Sequence, residues 1–335
     1  MDTLSDVLRA VRLTGAVFFE IRASEPWVAE TPEGATIVGS IFPAAEHVIP
    51  YHVVTHGGCW AWALGDAPVR LTAGDIVVFP HGDAHVLSSA PGMRGTPDLA
   101  LYHRPKDRSL PFRVTAGEAA SWAAQIVCGY LGCDARPFNP LLAALPRVLH
   151  TSGGDGPLGT LFGFALAEAR DAKAGSESVL RLLSELMFVE VVRSYVRTLP
   201  PEQTGWLAAL RDPVVAAALT AIHADPARAW TVAALAREVG ASRSVLAERF
   251  TRLVGDPPMQ YVAQWRMQVA AHQLLSTLDT VAAVAERVGY ESEAAFTRAF
   301  KKIVGTAPTP WRRRRGSLPD DGPGRNEAIA ARRES

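Results

Sequence analysis

The stretches Val232-Ala-Ala-Leu-Ala-Arg-Glu-Val-Gly240 and Val281-Ala-Ala-Val-Ala-Glu-Arg-Val-Gly289 are two copies of one pattern near the C-terminus of a 335-residue chain. In each copy the apolar residues fall at i, i+3, i+4 and i+7: Val232, Leu235, Ala236 and Val239, then Val281, Val284, Ala285 and Val288. That spacing marks one face of a helix. Gly240 and Gly289 follow where a tight inter-helix turn needs a positive φ, which glycine adopts at little steric cost. Ser242 and Ser292 can then cap a second helix. Its core positions correspond between the copies: Leu246 with Phe296, Phe250 with Phe300, Leu253 with Ile303. Gly255 and Gly305, ahead of Pro258 and Pro308, close both units. The offset is 49 residues up to the glycine and 50 beyond it, so the second turn is one residue longer. One apolar helix pair is an ordinary core hairpin, but the repeated pattern with its glycine turn and closing Gly-x-x-Pro predicts two helix-turn-helix units.

From about residue 207 to 315 the chain resembles the double helix-turn-helix domain of the AraC/XylS family of bacterial transcription regulators. The run Phe300-Lys-Lys-Ile-Val-Gly-Thr-Ala-Pro308 carries part of that resemblance. It implies two recognition helices held by one connecting helix. Here the connector would start at Pro257-Pro258, where proline suits a first helical turn, and run through Met259, Val262, Trp265, Val269 and Leu274. Its roughly 20 residues span about 30 Å, close to one turn of B-DNA, so both helices can enter successive major grooves.

With Leu246, Phe250, Phe296 and Phe300 inward, the outward positions are Ser244, Ala247 and Glu248 in the first unit and Glu293, Ala294, Thr297 and Arg298 in the second. Arg298 can offer two donors to guanine, and Glu293 can accept from cytosine N4. The alanine-bearing first helix is expected to contribute less sequence information. Arg243, Arg249, Lys301, Lys302 and the run Arg312 to Arg315 suit phosphates, which position a protein without specifying sequence. Residues 231–315 hold 13 Lys and Arg against 7 Asp and Glu, whereas residues 1–230 hold 18 against 23 and the tail 3 against 4. A formally neutral chain thus contains a basic segment suited to double-stranded promoter DNA.

The reading is an α+β multidomain chain: a cupin-like β-barrel over 1–150, a helical linker and dimerisation segment over 151–204, an all-α double helix-turn-helix over 205–315 and a polar, disordered tail over 316–335. The apolar segment Val179 to Val196 is broken by Arg181, Glu185, Glu190 and Arg193 and so does not read as a membrane span. Asp2 and Asp6 stand where a secretory signal would be basic. Three cysteines, Cys59, Cys128 and Cys133, do not make a secreted disulfide framework. The expected location is cytoplasmic, at the bacterial nucleoid.

Short β-rich runs at 15–21, 52–55, 60–64, 69–71, 75–79 and 124–131 are separated by glycine and proline turns, as in a sandwich or barrel. Gly74-Asp-Ile-Val-Val-Phe-Pro80-His-Gly82-Asp-Ala-His85 resembles the second cupin motif, and a cupin barrel can hold one ligand. The first cupin motif, source of the His and Glu ligands of metal-dependent cupins, is broken, with Pro50 aligned to its glutamate. That argues against the alternative of a metal-dependent cupin enzyme with a DNA-binding appendage. His52 and His85 could still meet inside the barrel, with His47 or His81, and take zinc or a polar effector. No cofactor is certain. Trp60 and Trp62, alternating on one strand, could send a ring into the pocket or serve as core.

The opening Met1-Asp-Thr-Leu-Ser-Asp, the His52 strand, the Pro80 to His85 segment and Val127-Cys128-Gly129 are similar to a cupin-type subgroup of the family that includes regulators responsive to reactive chlorine. This implies oxidant sensing through cysteine as one input. Cys128, in a predicted strand, reads as buried; Cys133 lies near a loop, and a Cys128–Cys133 bond is geometrically conceivable. Leu158–Ala172 and Ser176–Thr198 read as two helices. The second is apolar enough to pack on the barrel and on its copy in a homodimer. Pro200-Pro201-Glu-Gln-Thr204 is the expected hinge. The function expected is a non-enzymatic transcription regulator controlled by a small molecule, metal or oxidant sensed in the barrel. Activation through RNA polymerase is the mode the resemblance implies, with simple repression as the alternative.

Overall fold

Alternating short strands and turns over the first 150 residues, followed by helical periodicity, divide the chain into a β-rich and an α-rich part. The computed structural model describes residues 2–43, 45–102, 112–117, 122–135, 137–153, 156–171, 173–200 and 202–313. The tail from 316, Arg314 and Arg315, and Pro201 of the expected hinge lie outside the described residues.

The strands are β1 (Thr14–Ala23), β2 (Val28–Thr31), β3 (His47–Ala63), β4 (Val69–Thr72), β5 (Asp75–Val78), β6 (His85–Ser88), β7 (Phe112–Ala116), β8 (Ala124–Cys133) and β9 (Leu149–Ser152). They form one curled sheet in the order β2-β6-β3-β8-β1-β7, with β4 and β5 also on β3 and β9 on β5. The β1–β7 pair is parallel.

The runs at His52 and Trp60, read from sequence as separate strands, are one 17-residue strand, β3. His56-Gly57-Gly58 looks like a turn, yet the chain bulges between Val54 and His56 and continues. Gly57 takes a φ of 68°, and a Cβ there would lie 1.8 Å from the Ala123 carbonyl oxygen. The half before the bulge pairs with β5 and β8, and the half after it with β4 and β6. The bulge therefore bends β3 and curls the sheet into its cupin-like shape. It also changes which residues face inward: Val48 and Val54 before it, Cys59, Ala61 and Ala63 after it. Phe19, Ile21, Leu71, Val77, Phe79, Ile126 and Tyr130 complete this interior.

The helices are α1 (Thr3–Ala10), α2 (Gly34–Ile41), α3 (Pro140–Ala144), α4 (Pro157–Arg170), α5 (Ser176–Thr198), α6 (Trp206–Ala209), α7 (Pro213–Ala224), α8 (Val232–Glu238), α9 (Arg243–Val254), α10 (Pro258–Ser276), α11 (Val281–Arg287), α12 (Glu293–Val304) and α13 (Pro308–Arg313). Among the described residues no helix is long and apolar enough to cross a membrane. The outer sheet face, with Ile49, Tyr51, Val53 and Val78, packs on Met187, Phe188 and Val191 of α5. That same apolar cluster continues through α1, α3, α6 and α7 into Leu235, Leu246, Phe250 and the Tyr261–Trp265 half of α10. A separate core joins the Met267–Leu275 half of α10 to Val284, Val288, Phe296, Phe300 and Trp311. The two helix-turn-helix units are thus packed differently, one on the β-rich part and one on its own centre.

Candidate nucleic-acid interface and sensor interior

Each unit is built from the same local bonds. Thr231 Oγ1 accepts from the Ala234 amide at 3.0 Å, and Thr280 Oγ1 from the Ala283 amide at 3.1 Å. Ser242 and Ser292 Oγ accept from Val245 and Ala295 amides at 3.3 and 3.2 Å, satisfying the amides that open α9 and α12. Gly240 and Gly289 turn between the helices at φ 65° and 80°. The threonine caps precede each Val-Ala-Ala repeat; they form a Thr-Val-Ala-Ala signal that the apolar stripe alone did not reveal.

Leu246, Phe250, Phe296 and Phe300 are fully buried. On α9, Arg243, Ser244 and Glu248 are exposed and Ala247 is half-buried. The Ser242 hydroxyl sits 3.2 Å from that of Ser244 as well as capping. Arg249, expected on a phosphate, donates to the Asp212 carboxylate, which caps α7. On α12, Ser292, Glu293, Ala294, Arg298, Lys301 and Lys302 are exposed and Thr297 is half-buried. Arg313 is exposed and Arg312 half-buried. The exposed Val245 on α9 was missed from sequence; it adds an apolar group to the poorer helix, of the kind that contacts a thymine methyl.

Arg266 fixes the two units relative to each other. Its guanidinium donates to the carbonyl oxygens of Pro226 at 2.7 Å, Arg228 at 2.8 Å and Gly289 at 3.3 Å. The turn of the second unit is thereby tied to the segment that precedes the first. A lone arginine in an apolar helix pattern gives no sequence signal of this role.

Inside the curled sheet, His52 and His85 do meet, with Nε2 atoms 2.7 Å apart. His85 Nδ1 lies 2.8 Å from the Asp83 carbonyl oxygen, an acceptor only, so Nδ1–H donates. A neutral His85 then accepts at Nε2 from His52 Nε2–H, and His52 Nδ1 accepts from the Cys128 thiol 2.9 Å away. Both rings are neutral: burial, and for His52 also His85, lowers their pKa, to about 4 for His85. Burial likewise pushes the Cys128 thiol well up and Cys59 to about 12. Phe79 stacks on His85 at 3.8 Å between ring centroids.

Zinc does not fit this arrangement. Each imidazole lone pair is already occupied by a proton donor, and among the described residues no group of three or more His, Cys, Asp or Glu side chains is placed to hold a metal. His47 Nε2 donates to the Pro80 carbonyl at 2.7 Å and His81 Nε2 to the Leu145 carbonyl at 2.9 Å, so neither joins the pair. Trp60 is not brought to the histidines. The bulge puts it on the face opposite Cys59 and Ala61, with the Arg70 guanidinium 5.8 Å from its ring centroid. Cys128 faces the interior while Cys133 joins the outer cluster. Five positions apart on one strand, they lie about 16 Å from each other, too far for the bond that sequence spacing allowed.

Comparison with known proteins agrees with both halves. A model described as Cupin matches residues 2–197, running through α4 and α5, and one described as Helix-turn-helix domain matches residues 235–314. A putative AraC-like transcription regulator of Streptomyces lividans is 32% identical over 318 residues, covering 93% of this chain and 98% of that protein. The RCS-specific HTH-type transcriptional activator RclR of Escherichia coli is 26% identical over 321 residues, covering 94% and 98%. The solved DNA-binding domain of AdpA, in complex with a target DNA, is 26% identical over 33% of this chain and 99% of that one, with a TM-score of 0.31. The chain belongs to the AraC-type helix-turn-helix transcription regulators that carry a cupin N-terminal domain.

Proposed function

We propose that this regulator activates transcription as a homodimer, with α9 and α12 of each copy reading adjacent major grooves of a promoter and the N-terminal domain receiving the signal. The observation that carries the reading is the bond-for-bond repetition of the two capped units, each leaving polar side chains exposed on its second helix. Glu293, Thr297 and Arg298 would read bases together with Ser244, Ala247, Val245 and Glu248, while Arg243, Lys301, Lys302 and Arg313 would hold phosphates. Arg249 takes a supporting part, since its charge is engaged by Asp212. Activation implies contact with RNA polymerase, and the site of action is the nucleoid.

The dimer reading rests on α4 and α5. Their inner faces pack on the sheet, yet Phe164 (56%), Leu182 (55%) and Leu186 (44%) remain exposed on the outer side, more apolar surface than a lone helix pair shows to water. The chain is read as non-enzymatic, because the histidine pair offers neither an open metal position nor a charged acid–base pair.

Gel-shift and footprinting of the full chain on the DNA flanking its own gene test the reading. The expected result is a protected region of two half-sites about one helical turn apart, with transcript increase when RNA polymerase is added. Protection without any transcript increase would favour repression, and binding indifferent to sequence would remove the reading.

A further inference from the structure

The connecting helix α10 serves two cores, and they change over at one residue. Tyr261, Val262 and Trp265 belong to the core that holds the first unit, and Met267, Ala270, Ala271 and Leu274 to that of the second. Arg266 stands between them. Apolar packing is non-directional, so two cores on successive halves of a helix hold each unit to its own half and set their mutual rotation only loosely. Directed bonds at the changeover can fix it.

The half-buried guanidinium of Arg266 makes such bonds to two segments. On one side it donates to the carbonyl oxygens of Pro226 at 2.7 Å and Arg228 at 2.8 Å, in the segment that leads into α8. On the other it donates to Gly289 at 3.3 Å, in the turn between α11 and α12. The two backbones meet here, since a Cβ at Gly289 would lie 2.3 Å from the Ala227 carbonyl oxygen. Each segment is joined in turn to its own unit. Arg228 pairs with Glu238 of α8 at 2.9 Å and lies over Trp230, 4.2 Å from the ring centroid, while Trp230 Nε1–H donates to the Asp225 carbonyl at 2.8 Å. Across the junction the Tyr290 ring lies 5.7 Å from the Arg266 guanidinium and meets the buried Phe296 of α12 edge to face, at 5.6 Å between centroids. A path of contacts thus runs from α8 to α12 and crosses α10 at a single residue. Carbonyl oxygens converging on one point repel one another unless a cation stands between them. A planar guanidinium with five donors can serve several at once, as a compact ammonium cannot.

We infer that Arg266 is a positioning residue for DNA recognition: it fixes the distance and relative rotation at which α9 and α12 meet the double helix, and so confines the protein to one spacing between half-sites. The inference rests on the proposed reading of α9 and α12 as the helices that enter adjacent grooves. One base pair added between the half-sites turns one against the other by about 35° and moves it by about 3.4 Å. A clasped pair of units cannot follow and gives up contacts in one groove. A pair released at Arg266 pivots about the middle of α10 and follows further, but it loses pre-organisation for the natural spacing.

Competition gel shifts of the full chain test this, on the promoter duplex protected in footprinting and on versions with one base pair inserted or removed between the half-sites. The quantity read is the spacing penalty, the ratio of affinities for the natural and the altered duplex. A smaller folded fraction scales every affinity alike and cancels from that ratio, so the penalty moves only when the geometry does. A penalty of about tenfold or more is expected for the parent chain. Arg266→Met, which keeps the apolar stem and removes every donor, should bind the natural duplex more weakly and bring the penalty below about threefold. Arg266→Lys keeps the charge without the fork and should behave like the methionine variant. Thermal unfolding shows whether each variant is folded, and if Arg266→Met is not, the lysine variant decides. A parent penalty that the variants retain overturns the role of Arg266 and leaves the two-groove reading standing. A parent that binds all the duplexes alike overturns both. A lysine variant equal to the parent shows that charge alone suffices and overturns the clasp.

Discussion

Arg298 and Arg313 carry the same charge in exposed positions but are assigned different work. Arg298 lies on the outward face of α12, where a guanidinium can engage two acceptors of one guanine; Arg313 lies in α13, suited to a phosphate. Arg298→Ala is expected to reduce discrimination between a specific and a random DNA by about 1–3 kcal/mol. Arg313→Ala should weaken all sequences alike and lower the salt slope by about one. Competition gel shifts over a salt series measure both, and equal losses on every sequence would show the division to be wrong. The buried histidines make a second expectation. An unfolded histidine takes up a proton near pH 6.5, whereas His85 does so near 4 and His223 near 3. Between those limits the unfolded chain binds more protons, so stability contributed by the neutral rings is full above about pH 6.5 and falls as pH drops. Each ring removes up to about 1.4 kcal/mol per pH unit in that window. Urea midpoints from pH 7 to 4.5 should show the fall, less steeply in His85→Gln; identical slopes would remove His85 from the account. Cys59, Cys128 and Cys133 are all buried, with thiols raised by burial. Ellman's reagent should therefore label none of them in the folded chain at the rate seen in urea, and prompt labelling of Cys128 would revive it as an oxidant sensor.

The two inter-helix turns look equivalent in sequence but differ in surroundings. A Cβ at Gly240 meets open space, whereas one at Gly289 would lie 2.3 Å from the Ala227 carbonyl oxygen. Both positions have positive φ, so Gly240→Ala should cost about 1 kcal/mol through backbone strain alone. Gly289→Ala should cost several times that, because the segment Arg266 ties to this turn must also move. Thermal melts compare them directly, and equal destabilisation would mean that the segment yields freely. The helices of both units were legible because their periodicity, caps and turns are local. β3 was not. Its His-Gly-Gly step has the composition of a turn, and only the pairing of its two halves with β8 and β6, distant in sequence, keeps the strand running. Trp60 stands on the outer face for the same reason, since one extra residue in a strand reverses every side chain beyond it.

The cores divide the chain differently from its motifs. The first unit shares a continuous cluster with the N-terminal part, while the second has its own. A signal that shifted the seat of the N-terminal part would therefore meet α8 and α9 first, with α11 and α12 tied to them through α10 and Arg266. The outer face of α4 and α5 carries the expectation for assembly. Leu182→Glu with Leu186→Glu replaces two exposed apolar groups and should leave the fold intact while converting a dimer to a monomer in sedimentation. If the parent chain already sediments as a monomer, that face is not a dimer contact.

By itself the sequence determined that two helix-turn-helix units exist, where they turn and which faces they bury, because those properties follow from spacing and caps a few residues apart. It also indicated a cupin-like N-terminal part through one local motif. Only the tertiary structure decided that Arg249 is engaged by Asp212, that His52, His85 and Cys128 form one directed hydrogen-bond chain, and that Arg266 ties the second inter-helix turn to the segment before the first unit. Each of these depends on groups brought together from distant positions, where burial and hydrogen-bond satisfaction, not spacing, select the partner.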